Sequence, residues 1–359
     1  MSVFSSDDFD NHEQVVFCND PHTGLKAIIA VHNTNRGPAV GGCRMWNYAS
    51  EEEALRDVLR LSRGMSYKNA MAGLNLGGGK AVIIADSATQ KTPEMMRSFG
   101  RFINSVGGKY ITAEDVGINV EDMEQVATQT KFVAGLNNGV AASGDPSPYT
   151  AHGTFKGLCA AVKHRLGLDS LQGLKVAVQG LGHVGYDLAR ELHEAGATLF
   201  VTDINKDSVA RAVEAFGATA VGLDEIYSQD VDVFAPCALG SIINDTTIPQ
   251  LKAKVIAGAS NNQLEESRHD QVLKDLNILY APDYVINAGG IMNVSHEVNG
   301  DNITPAEGMK AVEVIYDTLM EIFDIAEEKA MPTGIIADQL ALAKINSGGD
   351  GGGSSIKAA

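Results

Sequence analysis

Two lysines beside a run of glycines are the residues of this chain best suited to chemistry. Residues 63–69 read RGMSYKN and include Lys68, and residues 77–80 read GGGK and end on Lys80. A lysine ammonium is a flexible point charge that binds anions, and glycine lets a backbone come close to a ligand. A lysine held there could bind a carboxylate or transfer a proton. The alternative is a turn before a strand, with one solvated lysine.

The glycine–lysine pair is not a phosphate-binding P-loop. That motif needs a glycine five residues before the second glycine, and a serine or threonine after the lysine. Leu74 and Ala81 occupy these two places. The match therefore fails at both positions.

A pair of carboxylates follows the strand-like segment 109–111. Residues 112–117 read TAEDVG and contain Glu114 and Asp115. Carboxylates at the strand ends of α/β sheets commonly face the ligand crevice. The pattern predicts a carboxylate that faces a ligand, but it does not choose between the two residues, and one of them could instead cap a helix.

Residues 180–185 read GLGHVG, between a predicted strand over 174–178 and a predicted helix over 186–195. This is the context of a dinucleotide fingerprint, in which glycines give a tight turn, close approach to the pyrophosphate and close helix packing. The helix N-terminus supplies N–H groups to the phosphates. Asp203, 23 residues after Gly180, ends the next strand; its carboxylate can bind the adenine-ribose hydroxyls and repel a 2′-phosphate. The pattern predicts NAD, and the alternative is a glycine-rich turn used only for packing.

Strand-like and helix-like segments alternate in the first part of the chain. Strands are predicted over 27–31 and 81–85. A capping box at Ser50 and a Thr92-Pro93 pair each predict the start of a helix. The apolar residues at helical spacing are Leu55, Val58 and Leu59 in the first helix, and Met96, Phe99 and Ile103 in the second.

The same alternation continues after residue 174. The predicted strands are 174–178, 199–202, 231–234, 254–257 and 277–280. A long helix is predicted from Thr304 to about Lys329, and after Pro332 a final helix over 335–345. Strands separated by helices predict an α/β fold with parallel, doubly wound sheets, and 359 residues suggest two domains.

Composition narrows the class of partner. A net charge of -17 and a pI near 4.9 argue against nucleic acid and anionic membranes, which select basic surfaces. There is no apolar run of membrane-spanning length and no secretory signal, which predicts a cytoplasmic protein. The scattered Cys18, Cys43, Cys159 and Cys237 predict free thiols and no metal site. The Gly/Ser-rich tail, 347–359, is predicted to be flexible, or not native to the protein.

Seven segments together carry a family resemblance. They are Lys68-Asn69, GGGK at 77–80, AEDV at 113–116, SPYTA at 147–151, the fingerprint at 180–185, PCALG at 236–240 and NAGG at 287–290. In this order and spacing, from about Val15 to Asn346, they resemble the glutamate/leucine/phenylalanine/valine dehydrogenase family, and most closely its leucine dehydrogenases.

The resemblance implies two α/β domains flanking a cleft. A substrate-binding, catalytic and oligomerisation domain is expected over 1–135, with a C-terminal helix, 334–346, returning to it. A Rossmann NAD-binding domain is expected over 136–333. Family members form homo-oligomers from dimers to octamers, so a homo-oligomer is expected here as well.

The activity implied by the resemblance is NAD-dependent oxidative deamination of an L-amino acid to a 2-oxo acid and ammonia. Leucine and other branched-chain amino acids are the first expectation, and phenylalanine or another aromatic amino acid is the alternative. A non-catalytic NAD-binding regulatory protein is a further alternative, but such a protein has no need of Lys68, Lys80 and Asp115 together.

The family also implies roles for single residues. Lys68, with Asn262, would bind the substrate carboxylate. A neutral Lys80 would take a proton from the attacking water, and Asp115, rather than Glu114, would exchange protons with the amino group. The expected substrate-binding residues are Val40, Gly41, Gly42, Met65, Lys68, Ala113, Asn262, Ile291 and Val294. The expected cofactor-binding residues are Thr150, Gly180, Gly182, His183, Val184, Gly185, Asp203, Ile204, Cys237, Ala238 and Asn287.

Several of these residues keep a plainer interpretation. Asn262 could be a loop residue that satisfies backbone groups, and Cys237 could be a small buried residue. His183 is interpreted as a packing or phosphate-side residue, and Met65 as a wall of the pocket. The side-chain pocket implied by the resemblance is apolar, so glutamate should be rejected because its carboxylate would be buried without a partner.

Overall fold

The computed structural model of the protein describes residues 3–136 and 144–348. These residues form two compact units. The first contains the described residues of Met1–Asp145, Val294–Ile303 and Ala341–Ala359, and the second contains Pro146–Asn293 and Thr304–Leu340. Each unit has its own sheet flanked by helices, which confirms the predicted α/β class.

Within the described residues, the first unit holds a five-stranded sheet in the order β1-β2-β4-β3-β5. Its strands are β1 (Gln14–Asp20), β2 (Leu25–Asn33), β3 (Ala39–Trp46), β4 (Gly77–Ile84) and β5 (Tyr110–Glu114). β3 runs parallel to β4 and β5, but β2 is antiparallel to both β1 and β4. The predicted parallel pairing holds in this unit only for β3 with β4 and β5. The short β1–β2 connection allows only antiparallel pairing of those two strands.

Helices cover both faces of this sheet. They are α1 (Glu51–Met71), α2 (Pro93–Ser105) and α3 (Val120–Ala127). On one face α1 buries Leu55, Val58 and Leu59 against Ile28, Ala30 and Val82. On the other face α2 and α3 bury Met96, Phe99, Ile103 and Met123 against Ile29, Val31, Met45 and Ile83. Alternate residues of β2 therefore enter two different cores, as expected of a strand covered on both sides.

The predicted helix starts are present, with one difference in detail. Thr92 caps α2, and Ser50 caps α1 by accepting from the Glu53 N–H at 3.1 Å. The Glu53 carboxylate, however, accepts from the Ala49 N–H at 2.8 Å instead of the Ser50 N–H. The capping box predicted at Ser50 is therefore incomplete.

The second unit contains a parallel sheet, as predicted. Within the described residues six strands lie in the order β11-β10-β9-β6-β7-β8, and every pairing is parallel. The strands are β6 (Lys175–Gln179), β7 (Thr198–Thr202), β8 (Thr219–Ala220), β9 (Val233–Pro236), β10 (Val255–Ile256) and β11 (Leu279–Tyr280). Strand order reverses at β6, between β7 and β9, which is where ligands bind in such sheets.

The remaining helices follow in chain order. They are α4 (Ser147–Leu166), α5 (His183–Glu194), α6 (Lys206–Phe216), α7 (Arg268–Asp275), α8 (Asp283–Ile286), α9 (Gly289–Asn299), α10 (Pro305–Val312), α11 (Val314–Lys329) and α12 (Thr333–Ser347). The single long helix predicted from Thr304 is interrupted at Glu313, where the sequence has neither glycine nor proline. The predicted tail begins too early, because Ser347 is still helical, and its residues from 349 on lie outside the described residues.

Neither a disulfide bond nor a membrane-spanning helix is formed by the described residues. All four cysteines are free thiols, as predicted. None of the helices formed by residues 3–136 and 144–348 has the length and apolarity needed to cross a bilayer.

A pair of buried histidines lies under α1. His12 accepts from the Asp10 N–H at 3.2 Å through Nδ1 and donates to the Leu59 carbonyl at 3.0 Å through Nε2, so this network fits a neutral ring. His32 contacts the Ser66 hydroxyl at 2.7 Å, and the two rings are 4.9 Å apart. Burial is the main cause that lowers the pKa of His32 to about 4.

We expect this pair to make the fold sensitive to acid. Because the pKa of His32 is lower in the folded state, the unfolded state binds the proton more readily, and stability falls as pH drops below 6.5. The loss should reach about 2 kcal/mol at pH 5 and about 3 kcal/mol below pH 4. Urea unfolding at pH 7.5 and pH 5 should show a smaller pH dependence for His32→Asn than for the wild type. The exposed His22→Asn serves as the control, and equal pH slopes for wild type and His32→Asn would contradict the assignment.

Candidate active site

Lys80 and Asp115 form a close ion pair in the first unit. Lys80 lies in β4 and Asp115 directly follows β5, and β3 lies between these strands. The Lys80 Nζ is 2.6 Å from the Asp115 Oδ2, and the two side chains are 8% and 22% exposed. Lys80 is therefore a buried, paired cation, and the interpretation of a solvated lysine at a turn is wrong.

The contact with Lys80 distinguishes the two carboxylates between which the sequence did not choose, Glu114 and Asp115. Burial by itself would raise the pKa of Asp115, but Lys80 and then Arg44 outweigh it and hold that pKa at about 2. Burial, with repulsion from Asp145 and Glu121, instead raises the pKa of Glu114. Asp115 is therefore the ionised partner of Lys80, whereas Glu114 is the acid with the higher proton affinity.

The glycine run packs a helix onto the sheet. β4 begins at Gly77, four residues earlier than predicted, so these glycines lie in a strand rather than in a turn. A Cβ on Gly78 would overlap the backbone nitrogen and hydroxyl of Ser66 in α1, and the Asn69 amide donates to the Gly77 carbonyl at 2.6 Å. The expected close approach is therefore made by α1, and it fixes the turn of that helix that carries Lys68.

Gly42 brings β3 close to Asp115. A Cβ at this position would lie 2.8 Å from the Asp115 Cβ and would clash with the Glu114 carbonyl oxygen. Two residues later in β3, the Arg44 Nε lies 3.4 Å from the Asp115 Oδ2. Arg44 was not among the predicted site residues.

The other predicted substrate residues of this unit lie in β3, β5, α1 and α9. Ala113 pairs with Gly42 between β5 and β3, and a Cβ on Gly41 would be 3.0 Å from the Met65 Cγ. Val40 is fully buried in β3, where it pairs with Gly78. Lys68 is half-buried in the last turn of α1, and Val294 is buried in α9.

In the second unit, the predicted fingerprint forms the turn between β6 and α5. Gly180 has a positive φ of 96°, and a Cβ there would be 2.7 Å from the Ala238 Cβ, so only glycine fits. A Cβ on Gly185 would clash with the Gly180 carbonyl oxygen and lie 3.1 Å from the Cys237 Cβ. This turn therefore packs directly against the segment after β9.

The start of α5 is open to a ligand. Gly182 is the N-cap and provides no side-chain cap, and a Cβ there would have no neighbour within 4 Å. His183 is exposed and Val184 is half-buried in the first turn. The first-turn N–H groups of this helix fit a pyrophosphate.

Asp203 lies beside the turn, as predicted. Its carboxylate accepts from the Leu181 N–H at 2.5 Å and from the Asn205 N–H at 2.7 Å. These two bonds orient the carboxylate and leave lone pairs for ribose hydroxyls. The neighbouring Ile204 is 86% exposed.

The remaining predicted cofactor residues differ in burial, with Asn287 buried, Thr150 and Cys237 half-buried and Ala238 exposed. Burial raises the pKa of the Cys237 thiol to about 12, which fits a small packing residue. The buried Asn287 donates to the Asn261 side chain at 2.8 Å, while its Oδ1 has no hydrogen-bond partner. A buried acceptor without a donor fits a bound ligand that carries an N–H group, such as a carboxamide. A Cβ on Gly290 would lie 2.7 Å from the Thr150 hydroxyl.

Two predicted substrate residues also belong to the second unit. Asn262 is exposed, has a positive φ of 51°, and accepts from the Ser241 N–H at 2.7 Å through its carbonyl. This position agrees with the loop interpretation and leaves its side-chain role a prediction. Ile291 is half-buried in the first turn of α9. Among the described residues, no cluster of three or more His, Cys, Asp or Glu side chains is arranged to hold a metal ion.

Comparison with known proteins identifies the family. Residues 12–132 match the profile of the Glu/Leu/Phe/Val dehydrogenase dimerisation domain, and residues 202–330 match the Glutamate/Leucine/Phenylalanine/Valine dehydrogenase profile. The leucine dehydrogenase of Geobacillus stearothermophilus is 56% identical over 345 residues, which is 96% of this chain and 94% of that protein. The chain belongs to the glutamate/leucine/phenylalanine/valine dehydrogenase family.

Other members of the family are also similar over nearly the full length. The phenylalanine dehydrogenase of Caldalkalibacillus thermarum is 50% identical over 344 residues, covering 94% of this chain and 92% of that protein. The crystal structure of L-tryptophan dehydrogenase from Nostoc punctiforme superposes with a TM-score of 0.82 at 48% identity, covering 94% of this chain and 96% of that one.

Membership confirms the predicted enzyme class. As a member of the glutamate/leucine/phenylalanine/valine dehydrogenase family, the protein is an amino-acid dehydrogenase, and the alternative of a non-catalytic regulatory protein is set aside. Dehydrogenation of this kind implies a nicotinamide cofactor. The match to the family's dimerisation domain indicates a protein that self-associates.

Proposed function

We propose that the protein catalyses the reversible, NAD-dependent oxidative deamination of L-leucine and other branched-chain amino acids to 2-oxo acids and ammonia. The observation that carries the chemistry is the buried Lys80–Asp115 pair with its 2.6 Å contact. The choice of leucine is supported by the higher identity to a leucine dehydrogenase, 56%, than to a phenylalanine dehydrogenase, 50%. An aromatic amino acid is the alternative substrate.

The proposed mechanism assigns one task to each side chain. Lys68 binds the substrate carboxylate. NAD, which the turn at Gly180 and Asp203 would hold, would supply the hydride acceptor. Loss of hydride from the substrate α-carbon would leave an iminium ion on the substrate. Lys80, when neutral, accepts a proton from the water that attacks this carbon, and Asp115 exchanges protons with the amino group. Burial of Lys80 and Asp115 strengthens their interaction, because little water screens it.

The substrate pocket is proposed to be apolar. Val40, Ala113, Ile291 and Val294 would line it, together with Gly41, Gly42 and Met65 near the substrate backbone. Asn262 would assist Lys68. The domain division proposed with this function is 1–135, 136–333 and a returning helix over 334–346, in a cytoplasmic homo-oligomer.

Product analysis tests this reaction. The purified protein, incubated with L-leucine and NAD, should release NADH, 4-methyl-2-oxopentanoate and ammonia in equal amounts. NADH without ammonia would indicate a different oxidation. Release of no NADH from any of the common L-amino acids would overturn the proposed function.

NAD is proposed as the preferred cofactor because of Asp203. A 2′-phosphate near this residue would meet a carboxylate that two backbone N–H groups hold in place. The nearest following arginine, Arg211, has its guanidinium carbon 4.3 Å from the centre of the Tyr186 ring. The exposed Lys206 lies three residues after Asp203, so we expect a preference rather than complete exclusion of NADP.

Replacement of Asp203 tests the cofactor preference. Asp203→Ser removes the repulsive charge and should narrow the ratio of NAD to NADP efficiency by roughly 10-fold, as expected for a charge pair worth somewhat over 1 kcal/mol. Asp207→Ser, at a nearby exposed acid, should leave the ratio unchanged. Steady-state kinetics with both cofactors decides, and equal efficiency of the wild type with NAD and NADP would contradict the assignment.

A further inference from the structure

Arg44 connects the proposed catalytic pair to a second carboxylate in the first unit. Its Nε lies 3.4 Å from the Asp115 Oδ2, and its Nη1 lies 3.0 Å from the Asp57 Oδ2. The side chain is only 24% exposed, so bulk water screens these contacts incompletely. Burial alone would lower the pKa of Arg44, but Asp115 and Asp57 outweigh it and raise that pKa.

The far end of Arg44 is firmly anchored. Asp57, in α1, accepts from both the Arg44 Nη1 and the Tyr48 hydroxyl, the latter at 2.6 Å. Burial, together with the bond to Asp57, raises the pKa of Tyr48, so its hydroxyl remains a donor. A planar guanidinium fixed at one end has little freedom at the other. The anchor therefore determines where the Arg44 Nε points.

The near end of Arg44 complements Gly42. The two residues are separated by one position in β3, so they face the same side of the sheet. Gly42 gives Asp115 room to approach β3, and Arg44 supplies a positive charge at the same place. One carboxylate oxygen of Asp115 thus lies near two cations, Lys80 at 2.6 Å and Arg44 at 3.4 Å.

The two cations cannot have the same role. The Arg44 Nε lies 3.4 Å from the Asp115 Oδ2 and makes no hydrogen bond, so this contact is chiefly electrostatic. A guanidinium also does not give up its proton in proteins. Lys80 is the partner that can exchange a proton, whereas Arg44 provides a permanent charge.

We propose that Arg44, anchored by Asp57 and Tyr48, is a positioning residue that holds the Asp115 carboxylate on Lys80 during the proton transfers. This inference rests on the proposed function. It adds a network of side chains that extends from Tyr48, in the segment after β3, through Asp57 and Arg44 to Asp115. This network approaches the reacting groups from one side.

A positioning role has a consequence for the pH profile. The groups facing Asp115 are Lys80 from β4, Arg44, Cys43 and the more distant Tyr48 from β3 and its end, and Tyr110 and Glu114 from β5. Loss of the Arg44 charge makes the electrostatic potential at the Lys80–Asp115 pair less positive, so this pair binds its proton more tightly. In the pH profile of kcat/KM for deamination, the limb that rises with pH should then move to higher pH.

The full-length Arg44→Met variant tests this inference. We expect kcat/KM for the amino acid to fall up to about 100-fold, as for a displaced catalytic group, and the rising limb to move up by about 1 pH unit. Arg44→Lys restores a charge and should recover most of the efficiency and of the limb position. The far-ultraviolet circular dichroism spectrum and the urea unfolding transition of both variants should match those of the wild type, which shows that they are folded.

Arg97→Met is the matched control. Arg97 is a partly exposed arginine of the same unit that pairs with Glu94 at 2.6 Å and does not contact Asp115. Its pH profile should equal that of the wild type. An unmoved limb in Arg44→Met, or a limb that moves equally in Arg97→Met, would overturn the proposal. A wild type active on an amino acid other than leucine would change the proposed substrate, and the Arg44 test would then use that amino acid.

Discussion

Replacement of Lys80 with alanine is expected to reduce turnover at least about 100-fold, the typical loss for a positioned acid/base group. Lys80 is the buried cation in contact with Asp115 at 2.6 Å. Without it, the attacking water has no proton acceptor in the proposed mechanism, and Asp115 keeps only the more distant Arg44. NADH should still bind, because the predicted cofactor residues lie in the second unit.

Two further variants make the Lys80 result specific. Lys80→Arg keeps the positive charge but cannot exchange a proton, so it should be nearly as inactive as the alanine variant. Lys91→Ala removes another lysine of the same unit, whose Nζ is also 2.6 Å from a carboxylate, that of Asp122. Its turnover should be close to that of the wild type. Near-normal turnover in Lys80→Ala would remove the central assignment of the mechanism.

The second large effect is expected at Lys68. Lys68→Ala should raise KM for the amino acid by about 10- to 100-fold, the size of a hydrogen bond to a charged group. The change in kcat should be smaller, because a charge pair with the substrate carboxylate is present in both the ground state and the transition state. Steady-state kinetics at saturating NAD separates the two parameters.

Lys68→Arg is the matched variant for this prediction. It retains a cation in the last turn of α1, so its KM should lie between those of the wild type and the alanine variant. An unchanged KM with a much lower kcat in Lys68→Ala would instead place Lys68 in the chemical steps.

The nucleotide-binding unit could be predicted largely from the sequence, because its signals are local. The strand before Gly180, the helix after Gly185 and the acid at Asp203 all follow one another along the chain. The structure places them in one turn, with Asp203 bonded to the Leu181 N–H. The contacts of this turn with Cys237 and Ala238 depend on β9 and were not predicted, since the family resemblance implied only that these two residues approach the cofactor.

The catalytic unit was harder to predict, because its site depends on strand order. Lys80 and Asp115 are distant in sequence and meet only because β4, β3 and β5 are neighbours. β3 itself was not predicted, since the glycines at 41 and 42 weaken the pattern of a strand. Arg44 was missed for the same reason, although its position two residues after Gly42 would have indicated it once the strand was recognised.

The glycines of β4 show a different limit of sequence reasoning. A glycine run permits close approach, but it does not reveal what approaches. Here Gly78 is covered by Ser66 of α1, a contact that a sequence pattern cannot specify because it depends on how the helix crosses the sheet. The sequence analysis expected a ligand beside these glycines, whereas at Gly78 the structure places Ser66 of α1.

The efficiencies of the wild type for a panel of amino acids test the central claim most directly. With NAD, leucine should have the highest kcat/KM, and valine and isoleucine should follow within about 10- to 200-fold, the effect of one methylene in an apolar pocket. Phenylalanine and tryptophan should be weaker, and glutamate should give almost no NADH because its carboxylate would be buried without a partner. An aromatic amino acid clearly ahead of leucine would contradict the proposed substrate, and efficient use of glutamate would contradict the apolar pocket itself.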